Sequence, residues 1–223
     1  MSSHQREVGP LLPGPPSPDL PPEYACAVMA AELDALARDI AAARAHARPG
    51  RAARRPPAAG LERVPLASGR AIVIRPLERS DRSELLHLFH RLGALSRFWR
   101  FLAPLEHLSE RQLAHLTELD HVTHEALIAL DAETGEGVGV ARYRCEESRP
   151  SRASFAVAVA DAWQGDGAGS ALLSRLTARA RENGVEALVG STAACNRRAR
   201  RLAADAAVDG RSGTLRLTLA FGA

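Results

Sequence analysis

Residues 157–170 read Val-Ala-Val-Ala-Asp-Ala-Trp-Gln-Gly-Asp-Gly-Ala-Gly-Ser, and this stretch decides the fold. The apolar run at its start predicts a buried strand, and Leu172, Leu173 and Leu176 after it predict one face of an amphipathic helix. The glycines between them let backbone amides approach a ligand without obstruction by a Cβ atom. Because the first amides of a helix lack intrahelical partners and carry the positive end of its dipole, the segment predicts a site for a pyrophosphate.

A dinucleotide site of the Rossmann type does not fit these glycines. That site requires G-x-G-x-x-G, whereas the sixth position counted from Gly165 is Ser170, and less than a quarter of the chain follows. A Walker A phosphate loop and a Schiff-base site both require lysine, and all 29 basic residues are arginine. A tight strand-to-helix turn that binds no ligand stays open as the alternative to a pyrophosphate site.

The composition indicates a globular protein and argues against several classes of function. The 223 residues are 46% hydrophobic and 25% charged, and no apolar run approaches the ~18 residues of a membrane span, so no membrane partner is expected. A net charge of +3 is too small to argue for nucleic acid. The three cysteines, Cys26, Cys145 and Cys195, include no C-x-x-C pair and predict neither a disulfide framework nor a metal site. The start of the chain lacks the pattern of a secretory signal, which predicts a cytoplasmic protein of bacterial type.

The proline distribution predicts two parts in the chain. Ten of the 14 prolines lie at or before Pro57. Residues 1–60 are therefore predicted to form a Pro/Ala/Arg-rich extension that is mostly flexible, with one helix at 23–47. Residues 61–223 are predicted to form one α/β domain.

Residues 61–223 alternate between helical and strand patterns. Asp81 with Glu84, and Ser109 with Gln112, have the spacing of capping boxes, which predicts two helix starts. The predicted elements, in chain order, are strand 71–76, helix 81–92, helix 109–119, strands 125–130, 138–144 and 153–160, helix 169–182, strand 185–192, helix 196–206 and strand 214–221.

Several motifs resemble those of the GCN5-related N-acetyltransferase (GNAT) superfamily. Gln164, Gly167 and Gly169 have the spacing of its motif A, (Q/R)-x-x-G-x-(G/A), and residues 74–77 and 196–202 are similar to its I-R-P-x and N-x-x-(A/M)-x-x-L motifs. Residues 96–101, Ser-Arg-Phe-Trp-Arg-Phe, resemble the S-R-Y-x-R-F stretch of a bacterial subgroup that includes protein lysine acetyltransferases. The resemblance implies an α/β GNAT fold, in which a mixed, mostly antiparallel sheet is flanked by helices and opens as a V-shaped cleft between its two central strands.

The same resemblance implies a function and a set of binding residues. The function is transfer of an acetyl (acyl) group from acetyl-CoA, without a metal, to an amine of a small molecule or a protein lysine. The partners implied are therefore an acyl-CoA and an amine acceptor, and a homodimer is left open. Asp166 stands where many relatives carry Arg or Lys, and an acid there is expected to weaken phosphate binding. The expected cofactor contacts are the backbone of Val157, Ala158 and Val159 for the pantetheine arm, Gln164, Gly165, Gly167, Ala168, Gly169 and Ser170 for the pyrophosphate, and Asn196 from the other side.

The catalytic residues are less clear from the motifs. Relatives often carry a Glu base where this chain has Ser154, and a serine hydroxyl can only position a water molecule. Cys195 is a further candidate, as a nucleophile or proton donor. Residues 207–213 replace the G-F and short strand of relatives, which predicts a shortened C-terminal half. The alternative function is a catalytically degenerate acyl-CoA-binding module with a regulatory role. The candidates for a general base in place of the missing Glu are Glu118, Asp120, His121, His124 and Glu125.

Overall fold

A mixed sheet with helices on both faces forms the architecture. The computed structural model describes residues 62–101, 105–193, 196–211 and 214–221, so the predicted extension 1–60 and its helix at 23–47 lie outside the described residues. The strands are β1 (Glu62–Pro65), β2 (Ala71–Pro76), β3 (His124–Asp131), β4 (Gly137–Glu146), β5 (Arg149–Val159), β6 (Ala187–Ala193), β7 (Ala207–Arg211) and β8 (Thr214–Ala220). The helices are α1 (Arg82–Arg91), α2 (Ala94–Phe101), α3 (Glu110–Thr117), α4 (Ala168–Glu182) and α5 (Arg197–Leu202).

The strand order explains the mostly antiparallel character of the sheet. The order is β1-β2-β3-β4-β5-β6-β8-β7, and β5 and β6 are the parallel pair among otherwise antiparallel neighbours. A parallel pair needs a crossover connection, and helix α4 supplies it. This arrangement confirms the predicted α/β GNAT fold.

The two central strands separate after a short paired stretch. Strands β5 and β6 pair from Arg152 opposite Ala187 to Ser154 opposite Val189. Beyond that point β5 continues along β4 and β6 continues along β8, so the sheet opens as a V. Phe155 lies at the point of separation, and a Cβ atom at Gly190 would come within 2.8 Å of its ring. We call the paired end of this opening, at Ser154, the apex of the cleft.

The faces of the sheet carry separate cores. Helix α4 packs on one face through Leu172 and Leu176, against residues of β2, β3, β4 and β5. Helices α1 and α3 pack on the opposite face through side chains such as Leu88 and Leu113, against Val140 and Ala158. Because side chains alternate along a strand, Ala153, Phe155, Val157 and Val159 of β5 belong to the α4 face, and Ser154, Ala156 and Ala158 belong to the opposite face.

One of the two predicted capping boxes is confirmed and the other is wrong. The Ser109 hydroxyl accepts from the Gln112 amide at 3.2 Å, and the Gln112 side chain accepts from the Ser109 amide at 2.8 Å. Asp81 precedes α1 without capping it, because both of its oxygens accept from the Arg75 guanidinium at 2.6 Å. The partner from strand β2 therefore replaces the local one.

The C-terminal half is not shortened, contrary to the prediction. The helix predicted at 196–206 ends at Leu202, and residues 207–211 form β7, which pairs antiparallel with β8 from Ala207 opposite Thr218 to Arg211 opposite Thr214. Asp209 and Gly210 have low strand propensity, but pairing with β8 supplies the hydrogen bonds that stabilise the strand. Two further elements of the structure, strand β1 and helix α2, are not predicted by the sequence pattern.

Candidate functional site

The glycine turn lies between β5 and α4, at the open end of the cleft. Gly165 and Gly167 have φ values of +84° and +101°, a left-handed conformation that a side chain disfavours. Gly167 is the N-cap of α4, and the first turn of this 15-residue helix contains no acidic side chain. The amides of Ala168, Gly169 and Ser170 therefore present a helix dipole that no carboxylate within the first turn offsets.

The Gln164 side chain organises the turn. Its Nε2 donates to the Val159 carbonyl at 2.8 Å and to the Ser96 hydroxyl at 3.0 Å, which joins the end of β5 to helix α2. Its Oε1 accepts from the guanidinium of Arg198 in α5, on the other side of the cleft. Gln164, which is predicted to contact the pyrophosphate, thus connects β5, α2 and α5 around the cleft.

Asp166 has partners that the sequence alone did not indicate. Its carboxylate accepts from the Ser68 amide at 2.7 Å, from the Ser68 hydroxyl at 2.5 Å and from Arg70 at 2.9 Å. The Ser68 hydrogen bond and the Arg70 charge lower the pKa of Asp166. The Arg70 guanidinium in turn lies 3.8 Å from the centre of the Trp163 ring. The expected repulsion between Asp166 and a phosphate is therefore offset by contacts to the β1–β2 turn.

The predicted walls of the cleft lie on both diverging strands. Ala158 is buried and Val157 and Val159 are half-buried on β5, beyond the last pairing with β6. Asn196 follows β6 and caps α5, where its Oδ1 accepts from the Ala199 amide at 3.0 Å. Cys195 lies outside the described residues.

Ser154 occupies the apex of the cleft. It is exposed, it pairs with Arg144 on one side and Val189 on the other, and its hydroxyl donates to the Arg144 carbonyl at 3.3 Å. Its hydroxyl therefore lies at the point where β5 and β6 separate.

Glu125 and His121 belong to a buried network on the α4 face of the sheet. Glu125 is fully buried, accepting from the Arg179 guanidinium at 3.1 Å and contacting the His121 ring at 2.7 Å. The Glu125 hydrogen bond raises the pKa of His121 above its ordinary value. Asn183 donates to the Tyr143 hydroxyl at 2.6 Å beside them. These contacts give both candidate bases a structural role.

The remaining candidate bases differ in their availability. Asp120 accepts from the amides of residues 122–124 at 2.8–2.9 Å, and with the Thr123 hydroxyl these hydrogen bonds outweigh burial and lower its pKa. Burial, together with the charge of Arg142, lowers the pKa of His124 to about 3, so the ring is neutral. Glu118 is half exposed and lies 3.6 Å from the exposed Arg79.

Three arginines on the face opposite α4 are functional candidates that the motifs missed. Arg142 and Arg144 of β4 lie on the same side of that strand as Ser154 and Ala156 of β5, and Arg100 of α2 shares a small pocket with Arg142. The alternation Arg142-Tyr143-Arg144 in a predicted strand was the available signal, since it places both guanidinium groups on one face. We call Arg100, Arg142 and Arg144 the arginine cluster.

Comparison with known proteins identifies the family of this chain. The model of the Acetyltransferase (GNAT) family matches residues 92–206. The chain belongs to the GNAT acetyltransferase family. Among GNAT proteins, the acetyltransferase PA5475 of Pseudomonas aeruginosa is 36% identical over 141 residues, which are 61% of this chain and 74% of the relative.

Solved GNAT structures have the same fold. The GNAT domain of Streptomyces (S.) lividans PAT superposes with a TM-score of 0.67 and 26% identity, over 72% of this chain and 96% of that one. YncA of Salmonella typhimurium, solved with its cofactor acetyl-CoA, superposes with a TM-score of 0.53 and 22% identity, over 68% of this chain and 94% of that one. Within the described ranges, no helix is long and apolar enough to cross a membrane, and no three His, Cys, Asp or Glu side chains are grouped as for a metal ion.

Proposed function

We propose that this GNAT protein is an N-acetyltransferase that transfers an acetyl group from acetyl-CoA to an amine of a small molecule or a protein lysine. The observation that carries the proposal is the opening of the sheet between β5 and β6, which ends at a helix N-terminus with no acidic side chain in its first turn. Membership of an acetyltransferase family and the acetyl-CoA found in YncA support it.

The residues around the turn fit a pyrophosphate. A Cβ atom at Gly165 would meet no atom within 4 Å, so the backbone there is open to a ligand. We place the pyrophosphate against the amides of Gly165, Gly167, Ala168, Gly169 and Ser170, which donate without the need for a lysine. Arg198 and Asn196 bind from the opposite wall, and Arg198 supplies the positive charge that position 166 lacks.

The diverging strands suit the rest of the cofactor and the reaction. Between Phe155 and Val159 the edge of β5 that faces β6 is not paired with it. Apart from the Val159 carbonyl, which accepts from Gln164, its amides and carbonyls are available to bind the pantetheine arm. When bound, acetyl-CoA supplies a thioester whose carbonyl carbon accepts the amine nitrogen, so that a C–N bond forms, the C–S bond breaks and CoA leaves as a thiol. An amide of the same edge stabilises the negative charge that develops on the carbonyl oxygen.

Proton removal from the acceptor ammonium passes through water at the apex. Ser154 is exposed there and orients the water through its hydroxyl, while Glu125, Asp120 and His124 are occupied by the contacts described above. Since no strong base of the protein takes part, the rate of transfer is expected to rise with pH until the acceptor amine itself is deprotonated. A plateau near pH 6–7 in a pH profile of kcat would contradict this role of Ser154.

A cofactor-binding module without transfer activity is the second candidate. The observation that favours it is that Glu125, Asp120 and His124 have structural contacts, and that position 154 at the apex is a serine and not a general base. Both candidates require that acetyl-CoA binds, and they differ only in whether thiol is released.

Calorimetric titration with acetyl-CoA and a thiol-release assay over a panel of amines test the proposal. Binding together with amine-dependent thiol release is expected. Binding without release from any amine supports the module instead, and absence of binding contradicts both. Arg198→Gln is expected to weaken acetyl-CoA binding about 10-fold, because one charge-assisted hydrogen bond is lost. Arg201→Gln, an exposed arginine on the same helix without that contact, is the matched control.

A further inference from the structure

We propose that the arginine cluster binds a carboxylate of one of the two substrates at the apex of the cleft. The inference rests on the proposed acetyl transfer and names the chemistry of its substrates. An anionic acceptor, such as an amino acid, or a dicarboxylic acyl group would place a carboxylate within a few bonds of the reacting carbonyl.

The cluster lies beside the reacting region. Arg144 pairs directly with Ser154, the last residue of β5 that pairs with β6, and Arg142 pairs with Ala156, just inside the opening. Directly paired residues of antiparallel strands project from the same face. The two guanidinium groups therefore lie on the face of the sheet where exposed Ser154 meets solvent.

Among the residues that the structure describes, the cluster has no acidic partner. Arg142 is 8% exposed, and its Nη2 donates to the His115 carbonyl at 3.4 Å and contacts the neutral His124 ring. The Nη1 atom of Arg144 is buried without a hydrogen-bond partner. No ion pair links Arg100, Arg142 or Arg144 to a carboxylate in the part of the chain that the structure describes.

Placing three guanidinium groups close together costs free energy unless an anion neutralises their charge. Burial, together with repulsion from Arg100 and Arg144, lowers the pKa of Arg142 to about 9. Burial likewise lowers the pKa of Arg100 to about 10. Arg142 and Arg100 are still charged at neutral pH, and a buried charge without a counter-charge is strongly unfavourable. A carboxylate can accept two parallel hydrogen bonds from a guanidinium, which makes it a suitable anion for this position.

The experiment compares matched substrates that differ in one charge. In the first arm, thiol release from acetyl-CoA is measured with 4-aminobutyrate against 4-aminobutyramide, and with glycine against glycinamide. In the second arm, succinyl-CoA is compared with butyryl-CoA on an uncharged amine. The proposal expects a preference of roughly 10- to 100-fold in kcat/KM for the carboxylate in one of the arms. The arm that shows it tells whether the carboxylate belongs to the acceptor or to the acyl group.

Variants connect the preference to the cluster. Arg144→Gln is expected to abolish the preference by lowering kcat/KM for the substrate that carries the carboxylate, whereas Arg144→Lys retains part of the preference. Ser154→Glu places a carboxylate beside Arg144 and is expected to abolish the preference as well. Arg149→Gln, which removes an exposed arginine at the start of β5, is the matched control and keeps it.

A binding measurement keeps the inference separate from the proposed function. Titration with glutarate is expected to raise the melting temperature of the wild-type protein and of Arg149→Gln, but not that of Arg144→Gln. Turnover without a carboxylate preference in either arm would overturn the inference and leave the acetyltransferase proposal intact. If no amine gives thiol release, the glutarate titration decides, and an equal response of wild type and Arg144→Gln overturns the inference.

Discussion

The faces of the central sheet both bury charge, but they neutralise it differently. On the α4 face, the fully buried Glu125 has Arg179 and His121 as partners. On the opposite face, the equally secluded Arg142 faces Arg100 and Arg144, and none of the described residues gives it a carboxylate. Charge that is matched within the chain needs no ligand, whereas the unmatched charge beside the cleft is the basis of the proposed carboxylate site.

The largest expected effect comes from the matched face. Glu125→Ala removes the buried counter-charge of Arg179 and leaves this mostly buried guanidinium with the exposed Glu182 as its acidic partner, so a loss of about 3–5 kcal/mol in the free energy of unfolding is expected. Urea denaturation measures it. Glu182→Ala, which removes the exposed partner of the same Arg179, is the control and is expected to cost less than about 1 kcal/mol. Equal losses in the two variants would show that Glu125 is not the centre of a structural network.

On the face opposite α4, removal of a buried charge is not expected to destabilise the protein. Arg142→Met removes a buried cation that repels its neighbours, and stability is expected to stay within about 1 kcal/mol of wild type or to rise. The same urea denaturation checks this. A loss above about 3 kcal/mol would mean that Arg142 is a structural residue, and it would remove the contrast between the faces.

The smallest expected effect is a pair of opposite pH dependences. The pKa of folded His124 is about 3, below the ~6.5 of the unfolded chain. Its contribution is therefore present above pH ~6.5 and decreases as the pH falls towards 3. The pKa of His121 is raised by Glu125, so its contribution is present below pH ~6.5 and decreases as the pH rises through the folded value.

Two variants measure these dependences separately. Unfolding free energies between pH 5 and pH 8 are expected to show that His124→Gln lessens the loss of stability on the acid side, and that His121→Gln lessens the loss on the alkaline side. If both variants changed the same side of the profile, the assignment of the two rings to oppositely charged surroundings would be wrong.

Local signals in the sequence predicted much of the fold. The glycine turn, the helix after it and the Ser109–Gln112 capping box depend on residues a few positions apart, and the structure confirms them. The strand at Ala71–Pro76 was predicted for the same reason. Strand β7 was missed because its stability comes from pairing with β8 rather than from its own residues.

The candidate site was less predictable because its charges are matched over long distances. Asp166 is paired with Ser68 and Arg70, which precede it by 98 and 96 residues. Gln164 meets Arg198 across the cleft, although each belongs to a separate motif. The alternation Arg142-Tyr143-Arg144 was a local signal for two arginines on one face of a strand, but the absence of an acidic partner among the described residues is visible only in the folded chain.

The most direct test of the central claim compares acetyl-CoA with S-acetyl-pantetheine, which lacks the pyrophosphate and the 3′-phosphoadenosine, in calorimetric titrations of the wild-type protein and of a variant in the glycine turn. If the amides at the start of α4 bind the pyrophosphate, acetyl-CoA binds at least about 100-fold more tightly, since each charge-assisted hydrogen bond contributes roughly 1.5–3 kcal/mol. Gly167→Ala, which places a side chain at a φ of +101°, is expected to lose most of that difference. Equal affinities of the wild-type protein for the two compounds would contradict the account.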